Sequence, residues 1–300
     1  KKKGVSGPGD DCAELRPPPG KYLQLSCDQL VEGVHVEAGT SPAVQARKLL
    51  RRTLSDLAAA GAVPWVVSWT IAVPSDRNAR WLRALAKAFL EEADHYRVAV
   101  IGGDMSTSGP PGTHSSGLGA VLGCTAIGLA DRPAPGRGGA LAGDWLLVTG
   151  RLGGAVQSGR HLIPNPRLEE GRYLLEQFSP HAMMDISDGL ATDLPRILQA
   201  SRLSVDVNLE DLPLAPPLSS RPKDWEIAIS EGEDYELLVA MAPRTARKAM
   251  QDPKLRRVGF TQIGTFQEGS ALNWLHRGKK IKLTAKGWQH RWAGEPSTEN

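Results

Sequence analysis

The sequence predicts an α/β (α+β) protein of two domains, and three observations lead there. A chain of 300 residues is longer than one hydrophobic core usually organises. Apolar runs of strand length alternate with stretches of helical spacing. The Gly-, Pro- and Arg-rich segment Ala130–Gly143 then separates one such series from the next. The boundary is placed inside that segment, giving domains of residues 1–136 and 137–300.

In the first half, Tyr22–Asp28 reads as a strand ending in Ser-Cys-Asp, and Pro42–Gly61 as a helix with Pro42 in its first turn and Gly61 at its end. Trp65–Val73 is a strand. Asn78–Tyr96 is a helix whose apolar face carries Trp81, Leu82, Leu85 and Phe89. Arg97–Ile101 is a strand expected to stop at Gly102-Gly103-Asp104, and Leu118–Leu129 is a further apolar stretch. In the second half, Trp145–Thr149 is a strand and Arg167–Phe178 a helix. Asp185–Gly189 is a carboxylate-bearing turn, and Leu190–Ser201 is helical despite Pro195. Strands are expected at Ser204–Leu209, Tyr235–Met241, Val258–Phe266 and Asn273–Leu283. No period of 20–50 residues recurs, which argues against a solenoid or propeller.

An apolar fraction of 41% with 23% charged residues describes a globular chain and excludes wholesale disorder and collagen-like classes. No segment approaches 18 consecutive apolar residues, so no membrane partner is expected. Lys1–Gly4 leads into Gly and Pro rather than an apolar run, which is not the pattern of a secretion signal. The net charge of +3 is evenly spread, with 16 basic and 14 acidic residues in 1–150 and 20 and 19 in 151–300. Neither nucleic acid nor an anionic membrane surface is therefore an expected partner. Cys12, Cys27 and Cys124 are odd in number and lack C-x-x-C spacing, which suits neither disulfides nor zinc and makes a reducing cytoplasm the expected compartment.

The chain has no G-x-x-x-x-G-K-[ST] loop, G-x-G-x-x-G fingerprint, G-x-S-x-G elbow or H-E-x-x-H motif. It carries instead dispersed carboxylates beside Gly, Ser or small apolar residues: Gly9-Asp10-Asp11, Ser26-Cys27-Asp28, Ser55-Asp56, Gly102-Gly103-Asp104 and Asp185-Ile186-Ser187-Asp188-Gly189. Three of these follow an apolar run, the usual address for ligands in α/β sheets. Clustered carboxylates repel one another, and hard divalent cations with phosphate oxygens are what relieves them. The plain alternative is that an Asp beside Gly forms a turn or caps a helix, and that Asp56 pairs with Arg52 at i,i+4. Spacing alone leaves convergence open.

Six segments together resemble, in order, the motifs of thiamine-monophosphate kinases, within the aminoimidazole ribonucleotide synthetase superfamily. They are Gly9–Ala13, Asp28–His35, Leu54–Ala62, Gly102–Asp104, Asp185–Leu190 and Gly232–Leu237, and the likeness runs from about residue 8 to residue 292. The resemblance implies an aminoimidazole ribonucleotide synthetase-like fold whose N-terminal half pairs its sheet with that of a second subunit, a homodimer. It implies ATP-dependent phosphorylation of thiamine monophosphate with several Mg²⁺ ions. Asp11, Ser26, Cys27, Asp28, Asp56, Asp104, Asp185 and Asp188 match metal positions. Gly103, Asp104, Arg137 and Ser187 match positions contacting ATP, and His35, Glu233 and Trp288 match positions around the thiamine part. Asp104, Asp188 and Arg137 are the expected catalytic residues. The alternatives are another ATP-dependent enzyme of the superfamily or a non-catalytic binder of thiamine phosphate or nucleotide.

Four features depart from the pattern. Cys27 and Met105 stand where Thr is common, Glu231 stands where Gly is usual, and the first motif arrives without the leading helix the family would supply. A thiol suits Mg²⁺ poorly, so any contact at Cys27 is expected through its carbonyl or at a cost in affinity.

Overall fold

A computed structural model describes residues 4–5, 11–108, 119–219, 221–283 and 287. The first half forms a four-stranded sheet from β1 (Tyr22–Val31), β2 (Val63–Pro74), β3 (Ala99–Ser108) and β4 (Val121–Ala130), ordered β1-β4-β2-β3. Burial along β4 alternates residue by residue, because one face of the sheet is covered and the other is not. The covered face receives α1 (Pro42–Ala59) and α2 (Ala79–His95). Leu49, Leu50, Leu54 and Leu57 of α1 meet Leu85 and Phe89 of α2 over Leu122, Cys124 and Ala126. Trp69 stacks on Phe89 with ring centroids 4.1 Å apart. Ser41 caps α1 through its side chain and Asn78 caps α2, with Pro42 at the first helical position as expected.

The second half is built on seven strands, including β5 (Trp145–Thr149), β6 (Ala182–Asp185), β7 (Leu203–Asn208), β8 (Leu237–Met241), β9 (Phe260–Glu268), β10 (Leu272–His276) and β11 (Lys279–Ile281). Their order is β11-β10-β7-β9-β5-β8-β6. Helices α3 (Leu168–Phe178), α4 (Leu190–Ser201), α5 (Pro222–Ser230), α6 (Pro243–Gln251) and α7 (Pro253–Val258) accompany the sheet. The two halves meet where α1 lies against α3 and β6. Gly171 makes that approach possible: a Cβ there would stand 2.0 Å from the Ala58 carbonyl oxygen. Among the described residues no helix is long and apolar enough to cross a membrane.

Two predicted strands take a different form. The strand expected to stop at Gly102-Gly103-Asp104 continues to Ser108, because β3 stays in register with β2 through Trp69↔Gly103 and Thr70↔Asp104. The expected single strand Asn273–Leu283 is the hairpin of β10 and β11. Arg277 and Gly278 both adopt positive φ, 50° and 72°, the conformation a tight hairpin turn demands of its two central residues. Arg-Gly lacks the Asn or Asp that usually signals such a turn.

Cys124 lies under α1 on the covered face, and burial pushes its thiol up to about 12. Cys12 and Cys27 are exposed on the same chain. At pH 8 the folded protein is therefore expected to leave Cys124 unalkylated while Cys12 reacts, with Cys124 becoming reactive on denaturation; peptide mass spectrometry after iodoacetamide treatment reads this directly. Equal labelling of the two in native protein would contradict the packing described here.

Candidate active site

Residues two apart on a strand share a face, so Ser26 and Asp28 both point from β1 toward α1. The Ser26 hydroxyl donates to Asp56 Oδ2 on that helix. Residues four apart on a helix share a face too, and Lys48, Arg52 and Asp56 form such a row on α1. Arg52 Nη2 stands 3.5 Å from Asp28 Oδ1. Lys48 is fully buried, with Nζ 2.6 Å from Glu233 Oε2 and also donating to the His35 carbonyl oxygen at 2.6 Å. Ser55 donates to Asp185 Oδ2 at 2.6 Å, joining α1 to β6 across the junction of the halves.

The second half supplies two interlocked loops. Ile186 N–H donates to the Glu236 carbonyl at 2.8 Å, Tyr235 N–H to that of Ile186 at 2.8 Å, and Glu233 N–H to that of Ser187 at 2.7 Å. Gly232 permits the crossing, since a Cβ there would lie 2.4 Å from the Ser187 carbonyl oxygen. Asp193 holds the lower loop by accepting the N–H groups of Ser187 and Asp188, each at 2.9 Å. Arg196 then bonds Asp193 at 2.5 Å and Asp188 at 2.6 Å. In the upper loop only one acid turns to the junction. Glu231 accepts from Ala155 and Val156 N–H, Asp234 from Gly153 N–H and Arg160, and Glu236 from Thr149 and Arg167. Glu231, where the resemblance expects Gly, thus anchors a neighbouring loop, while Glu233 faces Lys48.

Electrostatics show that these side chains face a common region. Burial, opposed by Arg52 and reinforced by Asp56, Asp188 and Glu233, pushes the Asp28 carboxyl up to about 6. Burial and then Asp56 push Asp185 upward, and burial pushes Asp193 up to about 6. Arg52 is nearly enclosed, and its Nε and Nη1 have no hydrogen-bond partner among the described residues. An unmet donor of this kind costs on the order of 1–3 kcal/mol. All the acidic ligating atoms are oxygens, which fits a hard divalent cation rather than a soft one. Among the described residues, no three His, Cys, Asp or Glu side chains already stand at ligand spacing; Asp56, Asp185 and Asp188 are each engaged by Ser26, Ser55 or Arg196.

Ser26, Asp28, Asp56, Asp185, Ser187, Asp188 and Glu233 are brought together, and His35 is tied to them through Lys48. In place of the alternative pairing of Asp56 with Arg52, Ser26 meets Asp56 and Arg52 meets Asp28. Cys27 points to the opposite face of β1, where its sulfur accepts from Thr125, so its thiol is turned away from the carboxylates. One row of paired residues, Asp28–Cys124–Trp69–Gly103, crosses the whole sheet, which puts Gly103 and Asp104 at the far edge, roughly 14 Å from Asp28 at ordinary strand spacing. Asp104 is exposed there. The Arg137 carbonyl accepts from Ser201 at the end of α4, whereas Ser187 and Asp188 precede its start, about 18 Å away for a helix of 12 residues. Among the described residues no hydrogen bond or ion pair joins exposed Asp11 to the cluster, and Trp288 lies outside them. Sequence reading passed over Lys48, Asp193 and Arg196 and named Arg52 only as a partner for Asp56; the four-residue spacing of Lys48, Arg52 and Asp56 was the available signal.

Ser55→Ala removes the hydroxyl that satisfies buried Asp185 and is expected to lower unfolding stability by about 1–3 kcal/mol, as read from urea denaturation. An unchanged midpoint would mean that Asp185 is satisfied some other way.

Residues 9–130 match the AIR synthase related protein, N-terminal domain, and residues 106–274 match the AIR synthase related protein, C-terminal domain. The chain is 32% identical over 315 residues to the thiamine-monophosphate kinase of Buchnera aphidicola subsp. Schizaphis graminum (strain Sg), covering 96% of this chain and 93% of that protein. It is similar to the crystal structure of thiamine-monophosphate kinase from Stenotrophomonas maltophilia K279a, with a TM-score of 0.80 at 28% identity over 94% of this chain and 93% of that one. It is also similar to AaThiL complexed with AMPPCP and TMP, with a TM-score of 0.77 at 27% identity over 92% and 89% of the two chains.

Proposed function

The chain belongs to the AIR synthase related family, as its match over residues 9–130 and 106–274 establishes, and from that premise we propose that it is a thiamine-monophosphate kinase acting by in-line phosphoryl transfer from ATP. The observation that carries the proposal is the meeting of Asp28, Asp56, Asp185 and Asp188, from three separate segments, at the junction of the two halves. The similar AaThiL complex with AMPPCP and TMP supports ATP and thiamine monophosphate as the substrates.

The acceptor in this reading is a phosphate monoester with a second pKa of about 6, so it is largely dianionic at neutral pH and requires no general base. The obstacle is repulsion between two anions, which positive charge and in-line positioning relieve. Asp28, Asp56, Asp185 and Asp188, with Ser26, would hold Mg²⁺; once bound, several Mg²⁺ ions supply the charge that neutralises the phosphates and orients them. Arg196 keeps the Asp188 carboxylate turned to the junction, and Ser187 is set by Asp193 to meet nucleotide. Glu233, held by Lys48, faces the organic cation of the acceptor together with His35. No Ser or Cys nucleophile enters, because the phosphoryl group passes directly between substrates.

Residues 1–136 serve in this reading as the ATP- and metal-binding domain that dimerises, and 137–300 as the C-terminal α/β domain. Homodimer formation accounts for the distance between Asp28 and Asp104. The uncovered face of the first sheet exposes Leu23 by 51% and Leu25 by 67%, while β1 and β3 are its open edges. A second copy that joins β1 of one chain to β3 of the other at both seams would close over that face and bring the edge that carries Gly103 and Asp104 to the strand that carries Asp28. A cytoplasmic location agrees with the free cysteines.

Purified protein with ATP, Mg²⁺ and thiamine monophosphate is expected to form thiamine diphosphate, and EDTA to abolish this; absence of product across Mg²⁺ concentrations would refute the reading. Asp28→Asn and Asp188→Asn are each expected to reduce turnover by about 100- to 1000-fold with the fold retained by circular dichroism. Chains carrying Asp28→Asn and Asp104→Asn, refolded together in equal amounts, should recover about a quarter of normal activity, since half the dimers are mixed and each of those holds one intact site. No recovery would place both residues in the same chain's site or in none.

A further inference from the structure

A guanidinium carries five N–H donors in a fixed plane. Arg52 presents its guanidinium on the α1 face turned to the cluster, with the side chain only 14% exposed. Nε and Nη1 are buried without an acceptor, and the approach of Nη2 to Asp28 is 3.5 Å, longer than a charge-assisted hydrogen bond. The arginines around it behave differently. Arg160 closes on Asp234 at 2.6 Å, Arg167 on Glu236 at 2.5 Å and Arg196 on Asp188 at 2.6 Å. An arginine whose task is to neutralise carboxylates closes on them in this way, and Arg52 holds its fork open instead.

Lys48, one turn away, has no such spare capacity for an anion, because its ammonium is committed to Glu233 and the His35 carbonyl. Arg52 lies between two groups of neighbours. One turn before it on α1 Lys48 holds Glu233, and one turn after it Asp56 meets Ser26 of the strand that carries Asp28; Glu233, Tyr235, Asp28 and Asp188 are all close enough to act on its charge. In the kinase reading the first group faces the organic cation of the acceptor and the second the metal ions. The phosphate of the acceptor is attached to that cation and drawn to those ions, so it must lie between the two groups, where a planar donor fork matches two phosphate oxygens at once.

We propose that Arg52 receives the phosphate group of the acceptor and makes the site select a phosphate monoester over the corresponding alcohol. This assignment rests on the kinase reading and is separable from it. The open donors then have a partner during turnover, and a dianion is held beside carboxylates that would otherwise repel it.

Titration calorimetry on the Mg²⁺-loaded protein without nucleotide tests it, with thiamine monophosphate and thiamine as the two probes. The unaltered protein is expected to bind the monophosphate more tightly. Arg52→Leu is expected to lose about 10- to 100-fold in monophosphate affinity, with thiamine affinity and the KM for ATP changed by less than about threefold. Arg52→Lys, which keeps the charge without the fork, should fall between the two. Unchanged monophosphate affinity in folded Arg52→Leu, or equal loss for both probes, overturns the assignment. Should Arg52→Leu fail to fold, Arg52→Lys decides: selective weakening toward the monophosphate supports the assignment, and affinity equal to that of the unaltered protein refutes it. An unaltered protein that neither binds nor phosphorylates thiamine monophosphate sinks the kinase reading itself, whereas normal binding and turnover with an indifferent Arg52 variant sinks only the role of Arg52.

Discussion

Like charges gathered at a buried junction are the constraint to which the rest of this structure answers. Asp28, Asp56, Asp185 and Asp188 come from β1, α1, β6 and the turn before α4, and each raises the cost of ionising its neighbours. Water would relieve that cost on a surface, but here the junction of two sheets excludes much of it. Relief has to come from donors and cations fixed by the fold. Ser26, Ser55, Arg52 and Arg196 supply part of it, and in the kinase reading bound cations would supply the remainder. The arrangement is thus costly as a stable core, and it suits the phosphoryl transfer proposed for it.

Helix α1 carries most of this organisation. Its Leu49, Leu50, Leu54 and Leu57 pack on the first sheet, while Lys48 and Ser55 reach Glu233 and Asp185 of the second half and Arg52 and Asp56 meet Asp28 and Ser26 of β1. Both faces are dictated by the 3.6-residue period, so the same backbone that fills the N-terminal core also sets the spacing of the cluster. Gly171 lets α3 lie close enough for Ser55 to reach Asp185. Packing between the halves and positioning of the carboxylates are therefore one geometric fact.

Periodicity made α1, α2, α4 and the central strands legible, because each buries one regular face. It failed where backbone geometry rather than burial decides. The β10–β11 turn is carried by Arg277 in a left-handed conformation, and β3 runs on through two glycines because its pairing with β2 does not depend on side chains. Ordered motifs named most of the residues that meet at the junction, since strand ends and helix starts are few and their chemistry is distinctive. Asp104 and Arg137 belong to the same motifs yet stand apart within one chain, and no local pattern encodes which edge of a sheet a strand will occupy. Lys48 and Arg196 escaped notice, and Arg52 was read only as a partner for Asp56, because a basic residue on an amphipathic helix normally faces solvent.

The segment from Glu231 to Glu236 shows how one short motif divides its labour. Glu231, Asp234 and Glu236 hold the connection from Thr149 to Arg167, and Glu233 alone among the four turns to α1. A regular extended strand would send residues of equal parity to one face, which would put Glu231 and Glu233 together. Glu233 and Tyr235 instead take positive φ values of 69° and 52°, a conformation that costs a non-glycine residue on the order of 1–2 kcal/mol. Backbone hydrogen bonds to Ser187 and Ile186, the Glu233 ion pair with Lys48 and the burial of Tyr235 offset it. Strain is kept at the point where a structural loop must also present a carboxylate to the junction, because extended geometry cannot aim neighbouring acids at two different tasks.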